Sequence, residues 1–232
     1  MMDFELNKPL TYLSKFKKLI EDNGWYLDLF WARDYSNGAG PPIEDKIKDA
    51  KFLVIRKPLT FLSGPKVRKT LQDAVIKDEK SILIMYTFSE SDSLHALNKF
   101  MEPFKIQLSD ASIIDMKTNQ DDKHNVVFQK KNRCFFNDSL FKGVSKLLIP
   151  FPHHIYTDDP AKILIRANPS SELKFDIFQE TKDIKGTDLI VGAYYDKTGR
   201  IVVVDSTLFL DNYFDFNKRF VKNVFTWLYQ NK

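Results

Sequence analysis

The end of this chain combines two apolar runs, a polar turn and an amphipathic helix, and this combination constrains the fold more than any other stretch. The first run covers residues 189–195 and the second covers residues 201–204, with Asp196-Lys197-Thr198-Gly199 as the turn. Two such runs joined by a short turn are typical of neighbouring antiparallel strands. The helix after them has its apolar side chains at helical spacing, namely Phe220, Val221, Val224, Phe225, Trp227 and Leu228. The sequence therefore ends in a predicted antiparallel hairpin and a helix that buries one face.

In the first half of the chain, strand patterns alternate with helix patterns. Phe52–Ile55 and Ile82–Tyr86 are continuous apolar runs, which are typical of strands buried on both faces. Strands that are joined through helices form right-handed crossovers and hence a mostly parallel sheet. We therefore expect one three-layer α/β domain over residues 1–232, with a mostly parallel sheet and an antiparallel C-terminal hairpin.

The middle of the chain is less regular. Residues 106–108 and 112–116 are predicted to be two short strands. Residues 117–133 form a long, polar and charged stretch, which favours a mobile loop or an insertion. From Lys146 onwards the pattern again favours strands, at residues 147–149 and 163–166.

Composition excludes several classes of protein. The 35 basic residues nearly balance the 31 acidic ones, which argues against a nucleic-acid partner. No apolar run approaches the ~20 residues that span a bilayer, so we expect no membrane insertion and a cytoplasmic location. A single cysteine, Cys134, excludes an internal disulfide framework and fits a reducing compartment. The 8 glycines leave little material for glycine-rich phosphate loops.

Three passages carry a family resemblance. They are residues 47–55, residues 83–85 with 97–100 and 103–106, and residues 199–206 with the subsequent Phe209, Asn217 and Trp227-Leu228. In these passages the chain resembles the glutamine-amidotransferase-like superfamily. The branch in question includes domains of gliding-motility and ABC-transporter accessory proteins and the N-terminal domain of an intraflagellar transport protein. The resemblance implies a flavodoxin-like three-layer sandwich.

The same resemblance implies that amidotransferase chemistry is absent. Active members of the superfamily place a nucleophilic Cys on a glycine-flanked turn after a central strand, with a His and a Glu nearer the C-terminal end. The corresponding turn, residues 86–91, contains neither Cys nor Gly, and no His occurs after His154. Cys134 lies beside two phenylalanines, where a thiol usually packs as a small hydrophobe. We therefore expect no catalytic residues.

Polar side chains after two of the predicted strands are candidate ligand-binding residues, because ligands of open α/β sheets bind beyond the carboxyl ends of the strands. The candidates are Thr87, Ser89, Glu90, Ser91, Asp205 and Ser206. A carboxylate and several hydroxyls there could hold a polar ligand by hydrogen bonds. The structural alternative is that Ser91 caps its helix and that Asp205 accepts N–H bonds from the turn after it.

Histidines offer two further patterns. His153 and His154, with two aspartates close behind, form the densest group of metal-ligating residue types. Neighbours on an extended chain point to opposite sides, however, and no recognised ligand spacing is present. Ser91 and His95 would share a helix face but have no third residue to orient the histidine as a base. We expect no metal and no cofactor, and the role of the adjacent histidines stays open.

Acidic and aromatic residues gather around the start of the last helix. Asp205, Asp211 and Asp215 form an acidic patch, and carboxylates in a first helical turn interact favourably with the helix dipole. Four aromatic residues lie within eight positions: Phe209, Tyr213, Phe214 and Phe216. They either pack under the edge of the sheet or form an interface with a second subunit.

These observations favour a non-enzymatic binding or protein-interaction module on a catalytically dead amidotransferase-like fold. Its partner would be a small metabolite, another protein or a second copy of the chain. The alternative is a hydrolase or transferase that uses Ser, Asp or a metal in place of the lost Cys. A flavodoxin-type flavin or nucleotide protein ranks third, because no phosphate loop is evident near residues 3–10.

Overall fold

The computed structural model describes residues 2–3, 12–25, 43–56, 62, 64–86, 91–158, 163–174 and 184–230. Within these ranges the α-helices are α1 Ser14–Asp22, α2 Ile43–Asp49, α3 Pro65–Ile76, α4 Ser91–Met101 and α5 Asp211–Tyr229. The strands are β1 Met2–Asp3, β2 Phe52–Arg56, β3 Ser81–Tyr86, β4 Ile106–Asp115, β5 Asn119–Gln120, β6 Asp122–Gln129, β7 Lys146–Pro150, β8 His153–Thr157, β9 Ile163–Arg166, β10 Ser171–Lys174, β11 Ile190–Tyr195 and β12 Arg200–Asp205. Short 3-10 helices occupy Glu102–Phe104, Lys130–Asn132, Gly186–Asp188 and Ser206–Phe209.

The main sheet has six strands in the order β1-β2-β3-β12-β11-β9. Strands β1, β2, β3 and β12 pair in parallel, whereas β11 pairs antiparallel with both β12 and β9. The predicted hairpin is confirmed, with Ala193 opposite Val203 and Tyr195 opposite Ile201. The parallel strands β2 and β3 lie where the sequence alternates strands with helices, whereas β12 joins them from the C-terminal hairpin.

Two smaller antiparallel sheets accompany the main one, in the orders β10-β4-β8 and β5-β6-β7. The chain is therefore α/β with mixed sheets. This confirms the predicted fold class, but the strands do not form the single, mostly parallel sheet of the expected flavodoxin-like sandwich. In residues 106–174 the described strands succeed one another without α-helices between them. Strands connected without a helical crossover pair antiparallel.

The prediction of a loop or insertion at residues 117–133 is wrong. This stretch forms β5, β6 and a 3-10 helix. Val126 and Phe128 are fully buried, and β6 pairs with β7 from Asn125 to Gln129. Together with Val127, which is 8% exposed, three consecutive buried apolar side chains thus decide the structure of a segment whose remaining residues are mostly polar.

Residues 106–116 also differ from the prediction, because β4 is one strand rather than two. Its pairing with β8 shifts register between Leu108 and Ser112. Within this irregularity the hydroxyl of Ser109 donates to the carbonyl of His154 at 3.1 Å and accepts from the N–H of Ala111 at 3.2 Å. Polar residues at 109–110 therefore mark a bulge instead of a strand end.

Both faces of the main sheet are covered by apolar clusters. Successive side chains of β3 alternate between them: Leu83 and Met85 belong to one cluster, while Ile82 and Ile84 belong to the other. The first cluster includes side chains of α1, α5, β6 and β7, and the second includes side chains of α3, α4 and β4. This two-sided burial explains why β2, β3 and β12 are continuous apolar runs.

None of the helices in the described ranges combines the length and the apolar content needed to cross a bilayer.

Candidate functional site

The carboxyl ends of the neighbouring strands β3 and β12 bring two buried polar side chains to the same face of the sheet. Arg56 ends β2, Tyr86 ends β3 and Asp205 ends β12. Asp205 is in register with Tyr86, so their side chains share a face, whereas Arg56 is in register with Met85 and therefore projects from the opposite face. All three polar residues are at most 6% exposed. This is the edge of the sheet at which a ligand site was expected.

Asp205 is bonded on both carboxylate oxygens. Oδ1 accepts from the main-chain N–H of Thr207 at 2.9 Å and lies 2.8 Å from the hydroxyl of Thr207. That hydroxyl also lies 3.0 Å from the carbonyl of Pro150. Oδ2 lies 3.1 Å from Nδ1 of His153. Asp205 thus begins the 3-10 helix Ser206–Phe209 as its cap and links that helix to the start of β8.

His153 and Tyr86 complete the cluster. His153 is 5% exposed, and its Nδ1 must carry a proton in order to donate to an ionised Asp205. The hydroxyl of Tyr86 donates to the main-chain carbonyl of His153 at 3.0 Å. Burial, together with the negative charge of Asp205, raises the pKa of Tyr86 well above its ordinary value. Tyr86 is therefore a hydrogen-bond donor here and not a base.

The candidate ligand-binding residues divide into three groups. Thr87, Ser89 and Glu90 lie outside the described residues. Ser91 is the first residue of α4. Asp205 and Ser206 are buried, at 0% and 5% exposure. The hydrogen bond from the N–H of Thr207 to Asp205 agrees with the alternative in which Asp205 caps the turn after it instead of binding a ligand.

The adjacent histidines point to different partners. The ring of His153 contacts Asp205, whereas Nδ1 of His154 lies 3.1 Å from the main-chain nitrogen and 3.2 Å from the carbonyl oxygen of Ile190. Among the described residues no group of three or more His, Cys, Asp or Glu side chains could hold a metal ion. Because side chains alternate along an extended chain, the sequence predicted that the two histidines point to opposite sides. It did not predict the pairing of His153 with Asp205.

Cys134 lies away from this cluster. It is fully buried, and its Sγ lies 3.3 Å from Oδ1 of Asn168. Burial raises the pKa of the thiol to about 11. A thiol with such a pKa is protonated near neutral pH and is a poor nucleophile.

The acidic patch at the start of α5 has a structural role on another helix. The carboxylate of Asp211 accepts from the N–H groups of Ser14 and Lys15 at 3.1 and 2.8 Å. It also accepts from the hydroxyl of Ser14 at 2.6 Å. Asp211 therefore caps the N-terminus of α1, and Asp215 forms an ion pair with Lys15 at 2.5 Å.

The four aromatic residues of this region divide between core and surface. Phe209 and Phe214 are 0% and 1% exposed, and Phe209 packs edge-on against Phe16 with ring centroids 5.4 Å apart. Side chains buried in this way cannot reach a partner. Tyr213 is half-buried and Phe216 is 43% exposed, so these two remain available for the predicted interface.

Comparisons with known proteins give a fold and no family assignment. No family model matches the sequence, and no curated protein matches it. Among solved structures, the fold is similar to that of the mmIFT52 N-terminal domain, with a TM-score of 0.70 and 15% identity over 99% of this chain and 97% of that one. It is also similar to a ThuA-like protein from Bacteroides uniformis, with a TM-score of 0.55 and 11% identity over 98% and 89% of the two chains. The predicted likeness to an intraflagellar transport N-terminal domain is thus confirmed at the level of fold.

Proposed function

We propose that this chain is a non-enzymatic module that binds a partner protein. The observation that carries the proposal is the enclosed pair of Asp205 and His153. Both side chains are buried and bonded to each other, and Asp205 is also bonded to Thr207. Polar residues that would otherwise serve a ligand at the carboxyl ends of the strands are therefore used to join β12, β8 and the 3-10 helix after β12.

The alternative of a hydrolase or transferase rests on the same pair. A carboxylate 3.1 Å from a histidine nitrogen is the arrangement that orients a histidine base in nucleophilic catalysis. Such an enzyme also needs an activated nucleophile and access for a substrate. Cys134 does not meet the first need, because it is buried with a raised pKa. The burial of His153 disfavours access of a substrate to this histidine.

Support for a protein partner comes from the aromatic residues near the start of α5. Tyr213 and Phe216 are three positions apart and hence share a helix face. Tyr12, whose carbonyl accepts from the N–H of Asp211, is 63% exposed. The ion pair between Lys15 and Asp215 lies at the same end of α5. Exposed aromatic side chains near polar groups are typical of interface centres and rims.

One experiment separates the module from an enzyme. The purified wild-type chain and the Asp205→Asn variant are assayed for hydrolysis of glutamine, a p-nitrophenyl ester and p-nitrophenyl phosphate, with the exposed Asp215→Asn as control. The proposal expects all three proteins to give only the background rate. Turnover by wild type that Asp215→Asn retains and a folded Asp205→Asn loses would overturn it. If Asp205→Asn does not fold, turnover by wild type alone decides the matter against the proposal.

A second experiment locates the interface. A photo-crosslinking amino acid is placed at Phe216, and at Lys222 on the same helix as the control, in cells that express the chain. The proposal expects one discrete product from position 216 that Tyr213→Ser abolishes. Mass spectrometry of the product distinguishes a second copy of the chain from another protein. Equal products from both positions, or no product from position 216, would contradict the assignment.

A further inference from the structure

A surface cleft of about 320 Å³ lies between the C-terminal part of α4 and the end of β8. Its volume is within the range of sites that bind small molecules. One wall comes from α4, the adjoining 3-10 helix and the start of β4, and the other comes from residues 156–158. The cleft shares no side chain with the Asp205–His153 pair or with the aromatic residues of α5. A ligand bound in the cleft would therefore be independent of the proposed function.

Charges of both signs face this cleft without pairing. Lys99 and Lys105 contribute two positive charges, while Glu102 and Asp158 contribute two negative charges. In the described part of the chain none of these four side chains forms an ion pair or a side-chain hydrogen bond. The exposed ion pairs on α1 and α3 show the contrast, since Lys18 pairs with Asp22 at 2.9 Å and Lys77 pairs with Asp73 at 3.1 Å.

The backbone around the cleft is held in place. Asn98 donates to the carbonyl of Leu108 at 2.9 Å and accepts from its N–H at 2.7 Å, which fixes α4 against β4. Lys105 has a left-handed conformation with φ of 58°, and its N–H donates to the carbonyl of Glu102 at 3.1 Å. A non-glycine residue in this conformation is uncommon and persists where its surroundings fix it. The positions from which Lys99, Glu102 and Lys105 extend are thus set before any ligand binds.

We propose that this cleft binds a small zwitterion of the amino-acid class, with its carboxylate on Lys99 and Lys105 and its ammonium group on Glu102 and Asp158. The lysine ammonium groups are suited to a carboxylate, and the two carboxylates are suited to an ammonium group. His95 lies one turn before Lys99 on the same helix face and adds a further polar side chain to this wall of the cleft.

The test is a calorimetric titration of the full chain with a series of ω-amino acids, from glycine through β-alanine and γ-aminobutyrate to 6-aminohexanoate. Each is compared with the carboxylic acid and the amine of the same length, which carry one charge each. We expect one length to bind best, and to bind at least about tenfold more tightly than either single-charge compound, because both charged ends then contact the protein.

Substitutions assign the binding to the cleft. Lys99→Gln and Glu102→Gln should each lower the affinity for the best-binding zwitterion by about tenfold or more, since each removes one charge-assisted contact. Lys218→Gln, an exposed lysine on α5, should leave the affinity unchanged. All three positions are exposed, so circular dichroism should show an intact fold. The proposal is overturned if no member binds at 10 mM, if a single-charge compound binds equally well, or if Lys99→Gln and Glu102→Gln bind like wild type.

Discussion

The side-chain amide of Asn217 pairs with the main chain of Leu148 much as a neighbouring strand would. Nδ2 donates to the carbonyl of Leu148 at 2.8 Å, and Oδ1 accepts from its N–H at 3.0 Å. Nδ2 also lies 3.3 Å from the carbonyl of Leu208. Asn217 is fully buried, and β7 is an edge strand of its sheet. One side chain of α5 therefore satisfies main-chain groups of a strand edge that has no further strand beside it.

Replacing Asn217 with Ala should lower the free energy of unfolding by about 3 kcal/mol, because the N–H and the carbonyl of Leu148 lose a partner in a buried site. Urea unfolding monitored by circular dichroism measures the change. Asn223→Ala is a matched control on the same helix. Asn223 donates to the carbonyls of Leu140 and Lys142 at 3.0 and 2.9 Å, but it is only partly buried, so water can replace it at a cost of about 1 kcal/mol. Equal losses in the two variants would contradict the role given to Asn217.

Gly199 is required by contact and not by backbone conformation. A methyl group there would lie 2.1 Å from the carbonyl oxygen of Lys80 and 2.7 Å from that of Val75. The N–H of Gly199 donates to the same Val75 carbonyl at 2.9 Å, so the turn cannot move away without losing this bond. Gly199→Ala should therefore lower the free energy of unfolding by about 3 kcal/mol.

Gly24→Ala is the comparison for Gly199→Ala. Gly24 has a φ of +70°, and a methyl group there would meet nothing within 4 Å. Its replacement should cost about 1 kcal/mol, which is the cost of a left-handed conformation alone. Thermal unfolding of both variants in the same buffer measures the difference. A smaller loss for Gly199→Ala than for Gly24→Ala would show that the turn adapts to the methyl group.

The parts of the fold with strong periodicity were predictable from the sequence. The runs in β2, β3 and β12 are apolar because each strand is buried on both faces, and the turn at 196–199 placed β11 beside β12. The segment with β6 was not predictable in this way, because only the short run Val126, Val127 and Phe128 marks a strand in a stretch of polar and charged residues. Their burial depends on β7 and on the first apolar cluster, which sequence pattern does not encode.

The candidate site was predictable only in its location. The rule for parallel sheets selected Asp205 because it ends a strand, and Asp205 does lie at that edge with Tyr86. Its partner His153 is 52 residues away in the chain, and no spacing rule connects them. The same limit applies to Phe209 and Phe214, since four aromatics in one stretch give no indication of which of them face the core.

Asp115 should make stability depend on pH in the acid range. Its carboxylate accepts from the N–H groups of Lys117 and Thr118, both at 2.8 Å, and from the hydroxyls of Ser170 and Ser171 at 2.9 and 3.0 Å. Burial acts to raise the pKa of Asp115, but these hydrogen bonds outweigh it and hold the pKa below its ordinary value. The carboxylate is thus favoured in the folded state over the unfolded one.

The lowered pKa of Asp115 in the folded state determines how stability changes with pH. The stabilisation by Asp115 is fully present above the unfolded-state pKa of about 3.9 and is lost as the pH falls through the lower folded-state value. Asp115→Asn should therefore be less stable than wild type at neutral pH, and the difference should narrow below about pH 4. Urea unfolding at a series of pH values measures it, with the exposed Asp138→Asn as control for a surface carboxylate. If the difference in the free energy of unfolding between wild type and Asp115→Asn stays constant or widens in acid, the stabilising role of the Asp115 carboxylate is contradicted.

Cys134 should be nearly inert in the folded protein. Burial raises the pKa of its thiol to about 11, so at pH 8 only about 0.1% is thiolate, compared with roughly a quarter for an ordinary cysteine. Because it is the only cysteine of the chain, the colour released from an aromatic disulfide reagent reports on this thiol alone. The native protein should react at least about 100 times more slowly than the same protein in urea. A native rate close to the rate in urea would mean an accessible thiolate, and Cys134 would then become a candidate nucleophile for the enzymatic alternative.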